Sequence, residues 1–377
     1  MFRQISKSLS DLLDQNTPPI ILVLGMRQVG KSTLALNLVK NSKYVRFNFD
    51  LPSDRLEFIN QNRHDLSNFS EKYKEHIIVI DEIQKSPDAT AIIKHLYDNY
   101  KTRFILTGSS EVKIRKGLGD TLAGRIHEVK LYPLSLKEIN FQNNMAWDDK
   151  SEYVNYDFNQ QNLLKELVYG SLPNLQNIDI LHYQTFLNDY TNLIFSKDVL
   201  EIAGTRKGTQ IYLLARLLSL QIGQLVNFNE LSLNTEMSRE SVYRYIDIFE
   251  QMGLIIRTRP ISTNERESIS KATKIYFTDL GVRNSLVGNF EAFNNRLDKG
   301  QILENAVFVG IKRKLDYDGD KSLLGFFRSE YGSEIDIVQK SEKLQKLYEV
   351  KVSQKNAGKV KKNVEYITLK NAQKFLY

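Results

Sequence analysis

A chain of 377 residues is long enough for two or three domains at roughly 150 residues each. Its 41% hydrophobic and 26% charged residues describe a globular protein with a packed core. No apolar run approaches the roughly 18 residues that cross a bilayer, and the absence of cysteine excludes disulfides and thiolate metal sites. The net charge of +7 favours an anionic partner, and from Lys340 to Tyr377 ten lysines stand against three glutamates, a density able to track a phosphate backbone.

The first segment, "MFRQISKSLSDLLDQN", reads as a short amphipathic helix and lacks the apolar stretch of a signal peptide, so a cytoplasmic location without a membrane partner is expected. The five histidines, His64, His76, His95, His127 and His182, show no ligand spacing, and structural zinc is not expected. From residue 19 to 135, apolar runs that suit strands ("IILVL", "KYVRFNF", "HIIVI", "RFILT", "IHEVKLY") alternate with helical patterns such as "KSTLALNLVK" and "ATAIIKHLYDNY". That alternation predicts a parallel sheet covered by helices on both faces.

Between the first strand and the first of these helices lies "LGMRQVGKSTL". Gly25, Gly30, Lys31 and Ser32 satisfy G-x-x-x-x-G-K-[ST] in the strand–turn–helix context that gives the motif its meaning. The glycines let the backbone wrap around phosphates with its N–H groups inward, and the helix that follows adds its positive N-terminal end. Gly25, Met26, Arg27, Gln28, Val29, Gly30, Lys31, Ser32 and Thr33 are therefore the candidate nucleotide-binding residues. Lys31 is placed on the β- and γ-phosphates and Ser32 on Mg²⁺. In "IIVIDEIQ", a buried strand ending in Asp81 brings a second Mg²⁺ ligand to the sheet edge, and Glu82 is the candidate base for the attacking water. A guanine-reading [NT]-K-x-D motif is missing, which favours ATP over GTP. The end of "FILTGSS" supplies Ser109 as the candidate sensor, with Thr107 and Ser110 as competitors. Arg125 in "LAGR" is a candidate γ-phosphate contact, in its own chain or in a neighbouring copy of a homo-oligomer.

Taken together, "GMRQVGKST", "LTGSS" and "LAGRIHEVKLYPLSLKEI", followed later by "FTDLGVRNSL" and "EIDIV…YEVK", make the chain resemble a prokaryotic family of AAA-type ATPases with a C-terminal domain of unknown function. The resemblance runs nearly the whole chain in the right order. It implies an ASCE-type P-loop NTPase core with a parallel sheet, a winged-helix middle and a restriction-endonuclease-like C-terminal fold. One departure is Lys197–Asp198 in "IFSKDVLEI", where the family often carries Arg-Asp.

After the polar break at 140–162 the pattern turns helical. "SRESVYRYIDIFEQMGLIIRTRPI" carries Val242, Ile246, Phe249 and Gly253 on one face and Glu240, Tyr243, Arg244, Asp247 and Gln251 on the other. Three helices, a strand, a polar loop at 262–273 and the returning strand "KIYFT" have winged-helix order, so this helix is a candidate for a DNA groove. Two acids on its outer face argue instead for a lid or a protein contact. Near the end, "GSEIDIVQKSEKLQKLYEVKVS" sets Asp336 thirteen residues before Glu349, with Lys351 two beyond and on the same side of a strand. Glu304, an acid on the apolar stripe of "ILENAVFVGIKRKL", needs a partner to be buried. Glu304, Asp336 and Glu349 are candidate ligands of a second Mg²⁺, with Lys351 beside it, in the layout of a PD-(D/E)XK nuclease.

The expected architecture is an α/β P-loop ATPase core over 1–142, a helical lid or linker over 143–207, a winged helix over 208–285 and an α/β nuclease-like domain over 286–377. The expected activity is ATP hydrolysis that switches the two C-terminal modules, with DNA as partner. The alternatives are an ATP-regulated, Mg²⁺-dependent DNA nuclease and a non-catalytic nucleotide-sensing regulator.

Overall fold

Five short apolar runs become five parallel strands: β1 (Ile20–Leu24), β2 (Tyr44–Asn48), β3 (Ile77–Asp81), β4 (Arg103–Gly108) and β5 (Ile126–Lys130), in the order β2-β3-β4-β1-β5. β1 and β3 are buried at every position, which is why they read as unbroken apolar runs without alternation. The computed structural model describes residues 2–60, 63–109, 122–142, 156–261, 273–328, 334–353 and 363–376. These fall into two compact units, Met1–Tyr132 and Pro133–Tyr377.

In the first unit the sheet packs with α1 (Ser6–Leu13), α2 (Lys31–Val39), α3 (Pro52–Ile59), α4 (Arg63–Lys72) and α5 (Ala89–Tyr100). The core combines the inward residues of β1, β3 and β4 with an aromatic group, Phe47, Phe49, Phe58 and Phe69. Phe47 and Phe58 meet edge to face at 5.3 Å, the arrangement that the ring quadrupole favours. Because the strands are parallel and in register, their C-terminal residues Leu24, Asn48, Asp81 and Gly108 lie along one edge. Open sheets of this kind bind ligands at that edge. The sheet and its loop-to-helix turn make this unit an α/β P-loop NTPase fold.

The second unit begins with α6 (Leu136–Gln142). Its start is a capping box: the Glu138 N–H donates to Ser135 Oγ (3.1 Å) and the Ser135 N–H to Glu138 Oε2 (3.0 Å), which satisfies two helix-end donors. Next come α7 (Tyr156–Tyr169), α8 (Tyr183–Leu193) and α9 (Val199–Ala203), the last two joined through a π-helical turn, Ile194–Asp198, that contains Lys197. Then α10 (Gly208–Leu220), α11 (Phe228–Thr235), α12 (Arg239–Gln251) and the antiparallel pair β6 (Ile255–Thr258) and β7 (Lys274–Phe277) follow in the expected order. After α13 (Leu280–Val287) and α14 (Lys299–Asp318) the chain closes with β8 (Leu323–Arg328), β9 (Glu334–Lys340), β10 (Gln345–Val350) and β11 (Val364–Ile367). These make one sheet ordered β11-β10-β9-β8. Ser110, most of the expected wing loop (262–272) and the middle of the polar break (143–155) lie outside the described residues.

On α12 the apolar face is buried as expected, with Val242, Ile246 and Phe249 inside. The opposite face is largely engaged within the fold. Tyr243 stacks on Phe228 at 4.2 Å, Arg244 donates to the Ala203 carbonyl (2.6 Å), and Asp247 pairs with Arg257 (2.6 Å).

Candidate functional site

The phosphate-loop motif forms the turn between β1 and α2. Gly25 has φ +153°, and a β-carbon there would sit 2.4 Å from the Leu131 carbonyl oxygen, so no side chain fits. Gly30 takes the left-handed conformation (φ +93°) directly before α2 and brings no side-chain cap to the helix's first N–H groups. A helix start of this kind directs its first amides toward an anion. Met26 and Val29 pack into the core, whereas Arg27 and Gln28 are exposed. The Lys31 ammonium is buried and donates to the carbonyls of Gly25 and Met26, both at 3.0 Å. A phosphate oxygen is a stronger acceptor for it than either carbonyl, because it carries a full negative charge to meet the ammonium.

Two strands away, Asp81 ends β3 almost fully buried. It accepts from Thr107 Oγ1 (2.9 Å) and is held by Arg46, whose Nε lies 2.8 Å and Nη2 2.6 Å from Asp81 Oδ2. Glu82 follows in the left-handed region (φ +57°), an uncommon conformation for a residue with a side chain. Its N–H donates to Thr107 Oγ1 (3.3 Å), and its Oε2 accepts from Ser109 Oγ (3.1 Å) and from the Gln84 amide. β4 lies between β1 and β3, which is why Thr107 and Ser109 reach the acids. The structure thus assembles Asp81, Glu82, Thr107 and Ser109 on the edge where the phosphate loop begins.

It does not bring Arg125 there. Arg125 precedes β5, and its carbonyl accepts from the N–H of Ile20 at the start of β1, so it lies at the N-terminal edge. A five-residue strand separates the two edges by about 16 Å. The guanidinium is paired with Asp98, with Nε 2.7 Å from Oδ1 and Nη2 3.0 Å from Oδ2, and this pairing holds the Asp98 carboxyl below its ordinary range.

The donor set at the C-terminal edge fits a nucleoside triphosphate with Mg²⁺. Loop amides and Lys31 suit the phosphates; the Ser32 hydroxyl and the Asp81 carboxylate suit a hard cation. When bound, the cation would neutralise charge that builds on the phosphates.

The C-terminal candidates form a second cluster, in the second unit. Asp336 Oδ2 accepts from the Val350 N–H (2.8 Å) and from Lys351 Nζ (3.2 Å), which also meets Glu349 Oε2 (2.9 Å). Glu304 found its partner in a residue that the sequence analysis did not single out. The Lys274 ammonium, buried on β7, bridges Glu304 Oε1 (3.2 Å) and Glu334 Oε1 (2.6 Å), and the Tyr276 hydroxyl also donates to Glu304 (2.8 Å). Burial opposes the charge on Lys274, but the Glu304 and Glu334 carboxylates outweigh it and raise its pKa. Burial pushes Glu304 up to about 7. Among the described residues no group of three or more acids or histidines is disposed to hold a metal ion. Each acid of the expected Glu304–Asp336–Glu349 trio has an ammonium partner: Lys274 for Glu304, and Lys351 for Asp336 and Glu349.

Lys274 and Tyr276 stand two apart on one strand and so share a face, a signal present in "KIYF". Arg46 carries a similar mark, a cation within the run "YVRFN".

Comparison with known proteins agrees with the first unit. Residues 17–140 match the family described as an AAA domain. Two further families, each described as a domain of unknown function, match 160–292 and 299–376. An uncharacterized protein of Haemophilus influenzae is 25% identical over 319 residues, 80% of this chain and 76% of that protein. An uncharacterized protein of Methanocaldococcus jannaschii is 23% identical over an alignment that covers 97% of this chain and 87% of its own length. Among solved structures, a Walker-type ATPase of Pyrococcus abyssi is 19% identical, with a TM-score of 0.49, over 75% of this chain and 95% of its own. Among the described residues no helix is long and apolar enough to cross a membrane.

Proposed function

We propose that this protein binds and hydrolyses ATP with Mg²⁺ at the C-terminal edge of the five-stranded sheet, and that its nucleotide state drives the second unit. One observation carries the reading: the phosphate loop and the Asp81–Glu82 pair share an edge, with Thr107 bonded to both acids and Ser109 to Glu82. Lys31 and the loop amides bind the phosphates, Ser32 and Asp81 hold the cation, and Glu82 takes the proton of the attacking water. Arg125 has no part in the site of its own chain in this reading.

The coupling has a structural basis in the first unit. The Leu131 N–H donates to the Leu24 carbonyl (2.7 Å), and the Leu131 carbonyl backs directly onto Gly25. A rearranged phosphate loop thus pushes on the segment that leaves for the second unit at Pro133. DNA is the proposed anionic partner, supported by the excess of lysine after Lys340. It would be contacted through charge more than base reading, because most of the outward face of α12 is engaged.

The test is ATP turnover of the wild type and of Lys31→Ala, with and without DNA. The reading requires turnover that Lys31→Ala abolishes, and it is withdrawn if the variant matches the wild type. A DNA-independent rate, together with no DNA affinity, removes DNA as the partner. The Asp336–Glu349–Lys351 arrangement favours a second reading, Mg²⁺-dependent DNA cleavage. Cleavage that persists in both Asp336→Ala and Lys351→Ala excludes that site.

A further inference from the structure

Gln84 lies in the 3₁₀ turn Ile83–Lys85 directly after Glu82, almost fully buried. Its Nε2 donates to Glu82 Oε2 and to Ser109 Oγ (3.0 Å), while Ser109 Oγ lies 3.1 Å from the same Glu82 oxygen. The hydrogens count out. The amide has two, one for each partner, and the hydroxyl's single hydrogen goes to the carboxylate. The opposite amide orientation would set a carbonyl oxygen against a carboxylate, so the chemistry fixes which way the amide points.

The amide oxygen, Gln84 Oε1, is buried and has no hydrogen-bond partner among the described residues. Such an atom carries a desolvation cost that an apolar side chain of similar size would avoid. Filling space therefore does not account for a glutamine here; the donor does. Glu82 is held from three sides, by Thr107 at its N–H and by Gln84 and Ser109 at Oε2. Both side-chain donors converge on Oε2, and Oε1 makes no hydrogen bond among the described residues. That division suits a base: one oxygen fixes the carboxylate and the other keeps a lone pair for a proton. The left-handed backbone of Glu82 makes such restraint more pressing, because the chain would otherwise relax.

We propose that Gln84 is a positioning residue for Glu82, its amide anchored on Ser109 so that the carboxylate is presented through Oε1. This rests on the reading of Glu82 as the base in ATP hydrolysis. Gln84→Met keeps the volume and removes the donor. It is expected to lower kcat about 10- to 100-fold, the scale of a misplaced catalytic group, while KM and the affinity for a fluorescent ATP analogue stay within twofold. Because Gln84 acts through Glu82, the same substitution in a Glu82→Gln background is expected to cause no further loss in single-turnover measurements. A wild-type kcat in Gln84→Met overturns the proposal, as does an equal proportional loss in both backgrounds. If Glu82→Gln alone turns over at the wild-type rate, the base reading itself has failed, and that result is independent of position 84. Should Gln84→Met not fold, Gln84→Leu, close in volume and also without the donor, is held to the same outcomes.

Discussion

Glu166, on α7 in the second unit, offers a sharp test of the electrostatics. Its carboxyl is buried, with Oε2 lacking a hydrogen-bond partner among the described residues, beside a cavity of about 20 Å³ that Asp279 and Arg313 also line. Burial pushes its pKa from 4.5 up to about 7; Asp279 adds to the rise and the Arg313 guanidinium opposes it. The folded chain thus keeps a proton that the unfolded chain sheds from about pH 4.5 upward. The stability contributed by this group is greatest below that pH, falls as the pH rises to about 7, and is level beyond. A shift from 4.5 to about 7 corresponds to about 3 kcal/mol at 1.36 kcal/mol per unit. Glu166→Gln keeps the shape and removes the titration. One amide atom still lacks a partner, so about 1–2 kcal/mol of extra stability is expected at pH 8, crossing zero at about pH 6 and becoming a loss of about 1 kcal/mol at pH 5. Guanidinium denaturation followed by helical circular dichroism at pH 5, 6, 7 and 8 measures this for the full chain. Asp279, raised to about 6, contributes its own slope to both proteins, and the part that does not depend on the Glu166 charge cancels in the difference. Parallel stability curves for variant and wild type would refute the argument.

Lys274→Met leaves Glu304 and Glu334 without the ammonium that bridges them. A loss of about 3–5 kcal/mol is expected at pH 8, less at pH 5.5 where Glu304 holds a proton, and denaturation at the two pH values checks it. Arg46→Gln frees Asp81 from a competing cation. Because the Arg46 side chain is 41% exposed, the gain is that of a screened pair, and half-saturation of ATP turnover is expected at two- to fivefold lower Mg²⁺. An unchanged or higher Mg²⁺ requirement counts against that role. Gly25→Ala sets a methyl group against the Leu131 carbonyl and is expected to weaken nucleotide binding at least tenfold by calorimetry, with the fold otherwise intact.

Much of the first unit was legible in the chain because its signals are local. Parallel strands buried on both faces read as continuous apolar runs, and the turn from β1 into α2 is encoded in nine contiguous residues. The acids at the end of β3 were also in plain view. Their partners were not. Gln84 sits only two residues after Glu82, yet its amide reaches the carboxylate across a left-handed backbone that no residue type announces. Arg46 approaches Asp81 from a neighbouring strand 35 residues away.

The residue string alone determined that a glycine-rich turn with phosphate-loop spacing joins the first strand to its helix, since glycine freedom, helix polarity and a lysine at fixed spacing act within a few bonds. Tertiary structure alone decided the rest. It moved Arg125 to the far edge of the sheet and put Lys274 among the acids expected to hold a metal. Side chains distant in sequence meet only through strand order and packing, and a buried charge takes whichever counter-ion the fold delivers to it.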